Sequence, residues 1–331
     1  MNYDELLELT PDNLQIFDAF AKCQMQIRNH QKILVSVSGG SDSDVMMDLF
    51  VRCGGKEKTT FVFFNTGLEY EATKRQLQYL NKKYDVEIQI IPPIKPIPTC
   101  VKEHGVPFWS KHVSEMISRL QRHDFKWEDE PFETLIEKYP NCKAALDWWC
   151  NRNSLGRRDG RVSSFDIGYV KGLKEFLISN PPTFRISNRC CHYAKKMPVK
   201  KYLKEHSFDL NCMGVRKSEG GIRSVSYKNC YTESMDDGPN QYRPLFWFSD
   251  ADKSEYENHY NIKHSDCYDV WGMTRTGCAG CPFSMDWKEE LELAEKYEPK
   301  FHKAMLKIFG QSYDYRRKFE EFRKEMKQTT P

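Results

Sequence analysis

An apolar run, Ile33-Leu34-Val35-Ser36-Val37, passes straight into Ser38-Gly39-Gly40-Ser41-Asp42-Ser43 and then into Val45, Met46, Leu49 and Phe50 at helical spacing. That order predicts a strand, a tight turn and a helix start in immediate succession. Two glycines let backbone N–H groups approach an oxyanion without a Cβ in the way. The helix start adds unpaired donors and a positive dipole end. Ser38, Ser41 and Ser43 add hydroxyls. The expected ligand is therefore a phosphate, pyrophosphate or sulfate group. No Gly-Lys-Ser/Thr follows, so this is not a Walker A loop, and Gly-x-Gly-x-x-Gly is absent, so it is not a dinucleotide fingerprint.

The first hundred residues continue the same alternation. Helical patterns cover Ile16–Ile27, Asp44–Cys53 and Glu71–Lys83, and strand patterns cover Ile33–Val37, Thr60–Phe64 and Val86–Ile91. Such alternation predicts right-handed βαβ units and a parallel sheet. Ligands of such sheets sit beyond the carboxyl ends of the strands. Asn65-Thr66-Gly67-Leu68-Glu69 follows the second strand, so it shares an edge with the Ser38–Ser43 loop. Residues 96–180 read as a helical insertion, with helices at Val113–Arg122 and Lys143–Cys150 and an exposed basic loop at Asn153–Arg161. One further strand is expected at Leu210–Val215, and Asp286–Lys327 reads as helix with Arg316-Arg317-Lys318 on a solvated face. The expected division is residues 1–95 and 181–285 for the α/β core, 96–180 for the insertion and 286–331 for C-terminal helices.

A net charge of +3 gives no electrostatic argument for a nucleic-acid binder. No run of 18 apolar residues and no leader-like N-terminus is evident, so a cytoplasmic protein with no membrane partner is expected. Twelve cysteines in such a chain need a reason other than disulfides. Cys23 and Cys53 fall in apolar helical patterns and read as core. Cys190-Cys191 and Cys278-Ala279-Gly280-Cys281 stand apart: two pairs supply four thiolates, enough for zinc or a [4Fe–4S] cluster.

The Ser-Gly-Gly-x-Asp-Ser loop resembles that of the PP-loop superfamily, the ATP pyrophosphatases and sulfonucleotide reductases. The Cys-Cys and Cys-x-x-Cys pairs resemble the [4Fe–4S] ligand set of adenylyl-sulfate reductases. Asn65-Thr66-Gly67 resembles the family's Asp-Thr-Gly loop, Gly214-Val215-Arg216 with Arg223 its Gly-x-Arg segment, and Arg243-Pro244-Leu245 with Trp247 its Arg-Pro-Leu stretch. The motifs keep the family's order. The chain is thus identified as resembling the phosphoadenosine phosphosulfate reductase family. The resemblance implies an adenine nucleotide α-hydrolase-like fold: α/β, a parallel twisted sheet with flanking helices, plus the insertion and C-terminal helices. It implies phosphate or Mg²⁺ contacts from Ser38, Gly39, Gly40, Ser41, Asp42 and Ser43. Asn65, Thr66, Gly67 and Glu69 then line the adenosine side, and Lys111, Arg216, Arg223 and Arg243 contact phosphate or sulfate. Asp42, Arg216 and Arg243 are the catalytic candidates, and Cys190, Cys191, Cys278 and Cys281 the cluster ligands.

Two departures bear on function. Asn65 stands where the family has Asp, and no cysteine follows Cys281, whereas the reductases carry a Glu-Cys-Gly-Leu-His tail. A missing thiolate favours ATP over an adenylyl sulfate as the ligand. The leading expectation is ATP-Mg²⁺-dependent adenylation with pyrophosphate release, in sulfur transfer or nucleic-acid modification, with a sulfur-donor protein or modification complex as partner. The alternatives are thiol-dependent reduction of an adenylyl sulfate and a non-catalytic nucleotide-binding regulatory module.

Overall fold

The structure is a computed structural model that describes residues 3–220, 226–235 and 237–329. The chain divides into two compact units: Met1–Ile94 with Ala194–Ala279, and Lys95–Tyr193 with Gly280–Pro331. Among the described residues no helix is long and apolar enough to cross a membrane.

The first unit is built on a six-stranded sheet in the order β3-β2-β1-β4-β6-β5. The strands are β1 (Ile33–Ser36), β2 (Thr59–Phe64), β3 (Ile88–Ile91), β4 (Leu210–Cys212), β5 (Tyr231–Thr232) and β6 (Asn240–Tyr242). All neighbours run parallel except the β5–β6 edge pair. Ile33, Leu34 and Val35 of β1 are fully buried, which is why the strand reads as an unbroken apolar run rather than an alternating one. Ile33, Val35, Phe61 and Phe63 point to one face, into a core with Phe20, Met46, Phe50, Leu77 and Tyr256. Leu34 and Val62 point to the other, against Tyr202 and Phe208.

Helix Ser41–Arg52 carries the chain from β1 to β2, and helix Glu71–Tyr84 from β2 to β3. The next pairing of β1, with β4, lies on its other side, so the strand order reverses at β1. A crevice forms at such a reversal, beyond the strands' carboxyl ends. The loops after β1, β2, β4 and β6 begin at Val37, Asn65, Met213 and Arg243, so every matched nucleotide motif starts on that one edge.

The second unit is helical. Helices Lys111–Arg122, Lys143–Trp149, Leu173–Ser179 and the long Pro299–Thr329 enclose an aromatic core of Phe108, Trp148, Trp149, Phe176, Tyr315 and Phe319. The expected C-terminal helical stretch is two helices, Trp287–Tyr297 and Pro299–Thr329. Pro299 explains the break: it disfavours helical backbone at the residue before it, and Glu298 sits outside the helical region at φ −133° and ψ 62°. Arg316 is not on a solvated face. It is 2 % exposed and its Nη1 donates to the carbonyls of Pro282 (2.6 Å) and Ser284 (2.7 Å).

Candidate nucleotide site

The loop after β1 is fastened by its own serines. The Ser43 hydroxyl donates to the Gly40 carbonyl at 2.7 Å and accepts from the Ser38 amide at 3.1 Å. The Ser38 hydroxyl accepts from the Gly40 amide at 3.3 Å. Gly39 sits at φ +70°, and a Cβ there would lie 2.6 Å from Cγ2 of Thr73, so both the backbone and the space demand glycine. Gly40 caps helix Ser41–Arg52 with no side-chain bond to the first turn. Within that turn the Ser43 and Asp44 amides donate back to the Gly40 carbonyl, at 2.9 and 3.2 Å.

Three elements bring charge to the loop. Arg216, after β4, donates through Nε to Asp42 at 2.9 Å and through Nη1 to Asp250 at 2.6 Å and Ser218 at 2.9 Å. Lys253, from helix Asp250–His259, donates to the Ser41 hydroxyl at 2.6 Å and lies 3.2 Å from Asp42. Burial works against the Arg216 charge, but Asp250 and Asp42 outweigh it and hold its pKa above the usual value. Beneath Lys253, the two ring nitrogens of His264 face Asp44 at 3.0 Å and Glu257 at 2.8 Å. Burial opposes the imidazolium, yet the two carboxylates push its pKa up to about 9. Asp44 is completely buried, and that burial raises its pKa despite His264 and a 2.9 Å bond from Gln76.

The loop after β2 is closed on itself. Glu69 accepts from the Thr66 hydroxyl at 2.5 Å and the Thr66 amide at 3.0 Å. Burial raises the Glu69 pKa, and the Thr66 bonds and Lys195 recover only part of the loss. Asn65 Oδ1 accepts from the Gly67 amide at 2.8 Å. An aspartate would make the same turn, so Asn65 preserves the loop's shape while removing a charge.

The sequence candidates thus part company. Ser38, Gly39, Gly40, Ser41, Asp42, Ser43 and Arg216 meet at one place, and Asn65, Thr66, Gly67 and Glu69 form the next loop on the same edge. Arg243 starts the loop after β6, but it is 1 % exposed and its contacts are with Thr232 (2.7 Å) and the Tyr227 ring (4.2 Å), not with the Ser38–Ser43 loop. Its Nε and Nη1 have no hydrogen-bond partner among the described residues, and burial lowers its pKa. Lys111 belongs to the second unit, where it is the exposed first residue of its helix. Arg223 lies outside the described residues. Lys253, Glu257 and His264 were not foreseen: no motif surrounds them, and the visible signal is only the Ser249-x-x-Asp252 capping box that starts the helix of Lys253 and Glu257, with His264 beyond its end.

Of the cysteines, Cys190 is buried and Cys191 half-buried in the second unit, Cys278 is buried at the end of the first, and Cys281 is half-buried. The Cys-x-x-Cys turn is tied down: the Ala279 amide donates to the Leu68 carbonyl at 3.0 Å, and the Ser284 amide to the Cys281 carbonyl at 2.9 Å. Among the described residues no group of three or more His, Cys, Asp or Glu side chains is arranged to hold a metal ion. The donor chemistry itself, four thiols with two in a fastened Cys-x-x-Cys turn, suits iron or zinc.

The chain matches the phosphoadenosine phosphosulfate reductase domain over residues 32–142 and 171–284. It belongs to that family. The matched spans of this phosphoadenosine phosphosulfate reductase domain take in the strands of the sheet and the four candidate ligands Cys190, Cys191, Cys278 and Cys281. An uncharacterized protein of Methanocaldococcus jannaschii is 29% identical over 111 residues, 32% of this chain and 20% of that protein, so the chain matches only about a fifth of that relative's length. Among solved structures, a phosphoadenylyl-sulfate reductase of Candida auris in a phosphate complex is 12% identical, with a TM-score of 0.41 over 81% of this chain and 96% of that one. The NH3-dependent NAD synthetase of Campylobacter jejuni, in complex with nitrate, is 12% identical, with a TM-score of 0.34 over 95% and 96%. A U34-tRNA thiolase of Methanococcus maripaludis with its [4Fe-4S] cluster is 12% identical, with a TM-score of 0.36 over 92% and 80%.

Proposed function

We propose that this phosphoadenosine phosphosulfate reductase family member binds ATP at the Ser38–Ser43 loop and transfers its adenylyl group to an acceptor, releasing pyrophosphate. The observation that carries the reading is the convergence of Arg216 and Lys253 on Asp42 and Ser41 at the start of the helix after β1. In the reaction an acceptor oxygen attacks the α-phosphorus. The bond from that phosphorus to the bridging oxygen breaks, pyrophosphate carries the electron pair away, and the acceptor's proton passes to solvent. The loop amides and the two cations stabilise charge as it moves to the leaving group. Mg²⁺ would screen the phosphates. Asp42 is already engaged by two cations, so its role is to hold Arg216 and Lys253 in place at the loop. Arg243 keeps two buried donors for a phosphate oxygen.

The reading favours adenylation over reduction because two of the three thiols that could stand in for a reductase nucleophile make poor ones, the third, Cys230, being half-buried. Cys212 and Cys267 are fully buried, and burial drives the Cys212 pKa well above its usual value. We assign the [4Fe–4S] cluster, with zinc as the alternative, to Cys190, Cys191, Cys278 and Cys281. Bound there, it would supply a redox or electrostatic centre. The setting we propose is sulfur transfer or nucleic-acid modification.

The test is anaerobic purification followed by parallel incubations with α-labelled ATP-Mg²⁺ and with adenylyl sulfates plus thioredoxin. Pyrophosphate and AMP or an adenylylated acceptor support the proposal. Sulfite overturns it in favour of reduction, and tight nucleotide binding with neither product overturns it in favour of a regulatory module.

A further inference from the structure

The second unit holds a cavity of about 410 Å³ that adenylation at the first unit's loop does not use. Its lining includes Arg122, Arg185, Arg189 and His104, and no carboxylate. Among the described residues none of the three guanidiniums makes an ion pair; Arg122 Nε reaches only the Ser118 carbonyl, at 3.3 Å. Three cations facing one space without a counter-charge repel one another, and a bound anion relieves that repulsion. The positive field is felt locally. His104 has its pKa lowered by burial first, with Lys95, Arg189 and Arg185 adding to the effect against Glu103.

The backbone under these arginines is pinned. Gly105 sits at φ +107°, and a Cβ there would lie 2.2 Å from the Arg185 carbonyl oxygen. That close approach lets the Val106 amide donate to Arg185 and the Ser187 amide donate back to Val106, each at 2.9 Å. Gln121 clasps the same segment from helix Lys111–Arg122, donating to the Phe184 carbonyl at 2.7 Å and accepting from the Ile186 amide at 2.9 Å. The Ser187 hydroxyl accepts from the Arg189 amide at 3.1 Å. The cations are therefore mounted on fixed backbone, which lowers the ordering cost of a ligand. The cavity falls within the roughly 300–1,000 Å³ range of small-ligand sites.

We propose that this cavity binds a phosphate group, gripped by the guanidinium forks of Arg122, Arg185 and Arg189. The planar fork matches phosphate oxygens two at a time, which a lysine ammonium does not. The phosphate is either free, as on a small molecule, or part of a nucleic-acid backbone, and the two sources are separable.

The experiment uses the full chain prepared anaerobically, with binding of orthophosphate followed by calorimetry and binding of a fluorescein-labelled single-stranded oligonucleotide by anisotropy. Arg185→Gln/Arg189→Gln leaves the first unit's loop untouched, so any loss belongs to the cavity. A fall in phosphate affinity of about tenfold or more, at unchanged melting temperature, supports the proposal. If the oligonucleotide loses affinity in parallel, the phosphate is carried on a nucleic acid; if only orthophosphate responds, it is free. Arg122→Gln, on a different element, is expected to repeat the effect in smaller degree. Failure of both ligands to bind the wild type, or unchanged affinities in the folded double variant, overturns the proposal.

Discussion

Arg216 bridges two carboxylates, donating through Nε to Asp42 at 2.9 Å and through Nη1 to Asp250 at 2.6 Å. Asp42 stands in the first turn of the helix after β1, and Asp250 at the start of helix Asp250–His259. One side chain thus locks the loop after β4 to the anion loop and to the helix that brings Lys253. Arg216→Gln removes one charge-assisted donor from the proposed phosphate site, and nucleotide affinity is expected to fall roughly 10–100-fold. Stability is expected to drop by only about 1 kcal/mol, since Lys253 still neutralises Asp42 and Asp250 is largely solvated. Arg216→Lys is not expected to restore affinity, because an ammonium lacks the fork that spans both carboxylates. Fluorescent-nucleotide titration beside thermal melting checks this; equal nucleotide affinity in wild type and Arg216→Gln would sink it.

Gly39 offers a test of the loop's geometry that needs no ligand. Gly39→Ala faces a left-handed backbone cost and a clash with Thr73 Cγ2 at 2.6 Å. Together these are expected to cost about 2–3 kcal/mol. Thr73→Ser removes the offending methyl, so Gly39→Ala in that background is expected to cost about 1 kcal/mol, the backbone part alone. A double-mutant cycle by denaturant unfolding checks the coupling. Additive costs would show that Thr73 is not the obstacle.

The sheet's centre and the anion loop were legible because both are local. The buried run of β1 and the Ser-Gly-Gly turn lie within one short stretch, and burial on both faces leaves an unmistakable apolar run. The edge strands β5 and β6 were not legible. Tyr231-Thr232 and Asn240-Gln241-Tyr242 are too short and too polar for any periodicity to register. The same limit hid half of the site. Lys253 and His264 reach Ser41 and Asp44 across 212 and 220 residues of chain, and only the folded sheet sets that distance. Arg316 misled for a related reason: within Arg316-Arg317-Lys318 nothing local marks the one side chain that two carbonyls draw inward.

His264 ties stability to pH. Its folded pKa of about 9 lies above the ordinary value near 6.5, so the imidazolium's contribution is complete below about pH 6.5 and is lost as pH rises through 9. The size is on the order of 2–3 kcal/mol. His264→Asn keeps a polar side chain but cannot charge, leaving buried Asp44 without its cation. The gap in unfolding free energy between wild type and His264→Asn is expected to be widest near pH 6.5 and to close toward pH 10. A gap that stays constant over that range would mean the imidazolium is not what the two carboxylates hold.

The proposed cluster is separable from the nucleotide loop by substitution. Cys278→Ser is expected to abolish bound iron in anaerobically prepared protein while leaving nucleotide affinity largely intact, because the Ser38–Ser43 loop is fastened by bonds among its own residues. Arg316→Gln probes the same region from within the second unit. Arg316 fastens Pro282 and Ser284, the residues just after Cys281, by two carbonyl bonds of 2.6 and 2.7 Å. Leaving those buried carbonyls short of a donor is expected to cost about 2–3 kcal/mol. It is also expected to lower iron occupancy by loosening the Cys281 end of the turn, without changing nucleotide affinity. Iron counting and thermal melting distinguish the outcomes. Full iron in Cys278→Ser would remove that residue from the ligand set, and full iron in a destabilised Arg316→Gln would confine Arg316 to a packing role.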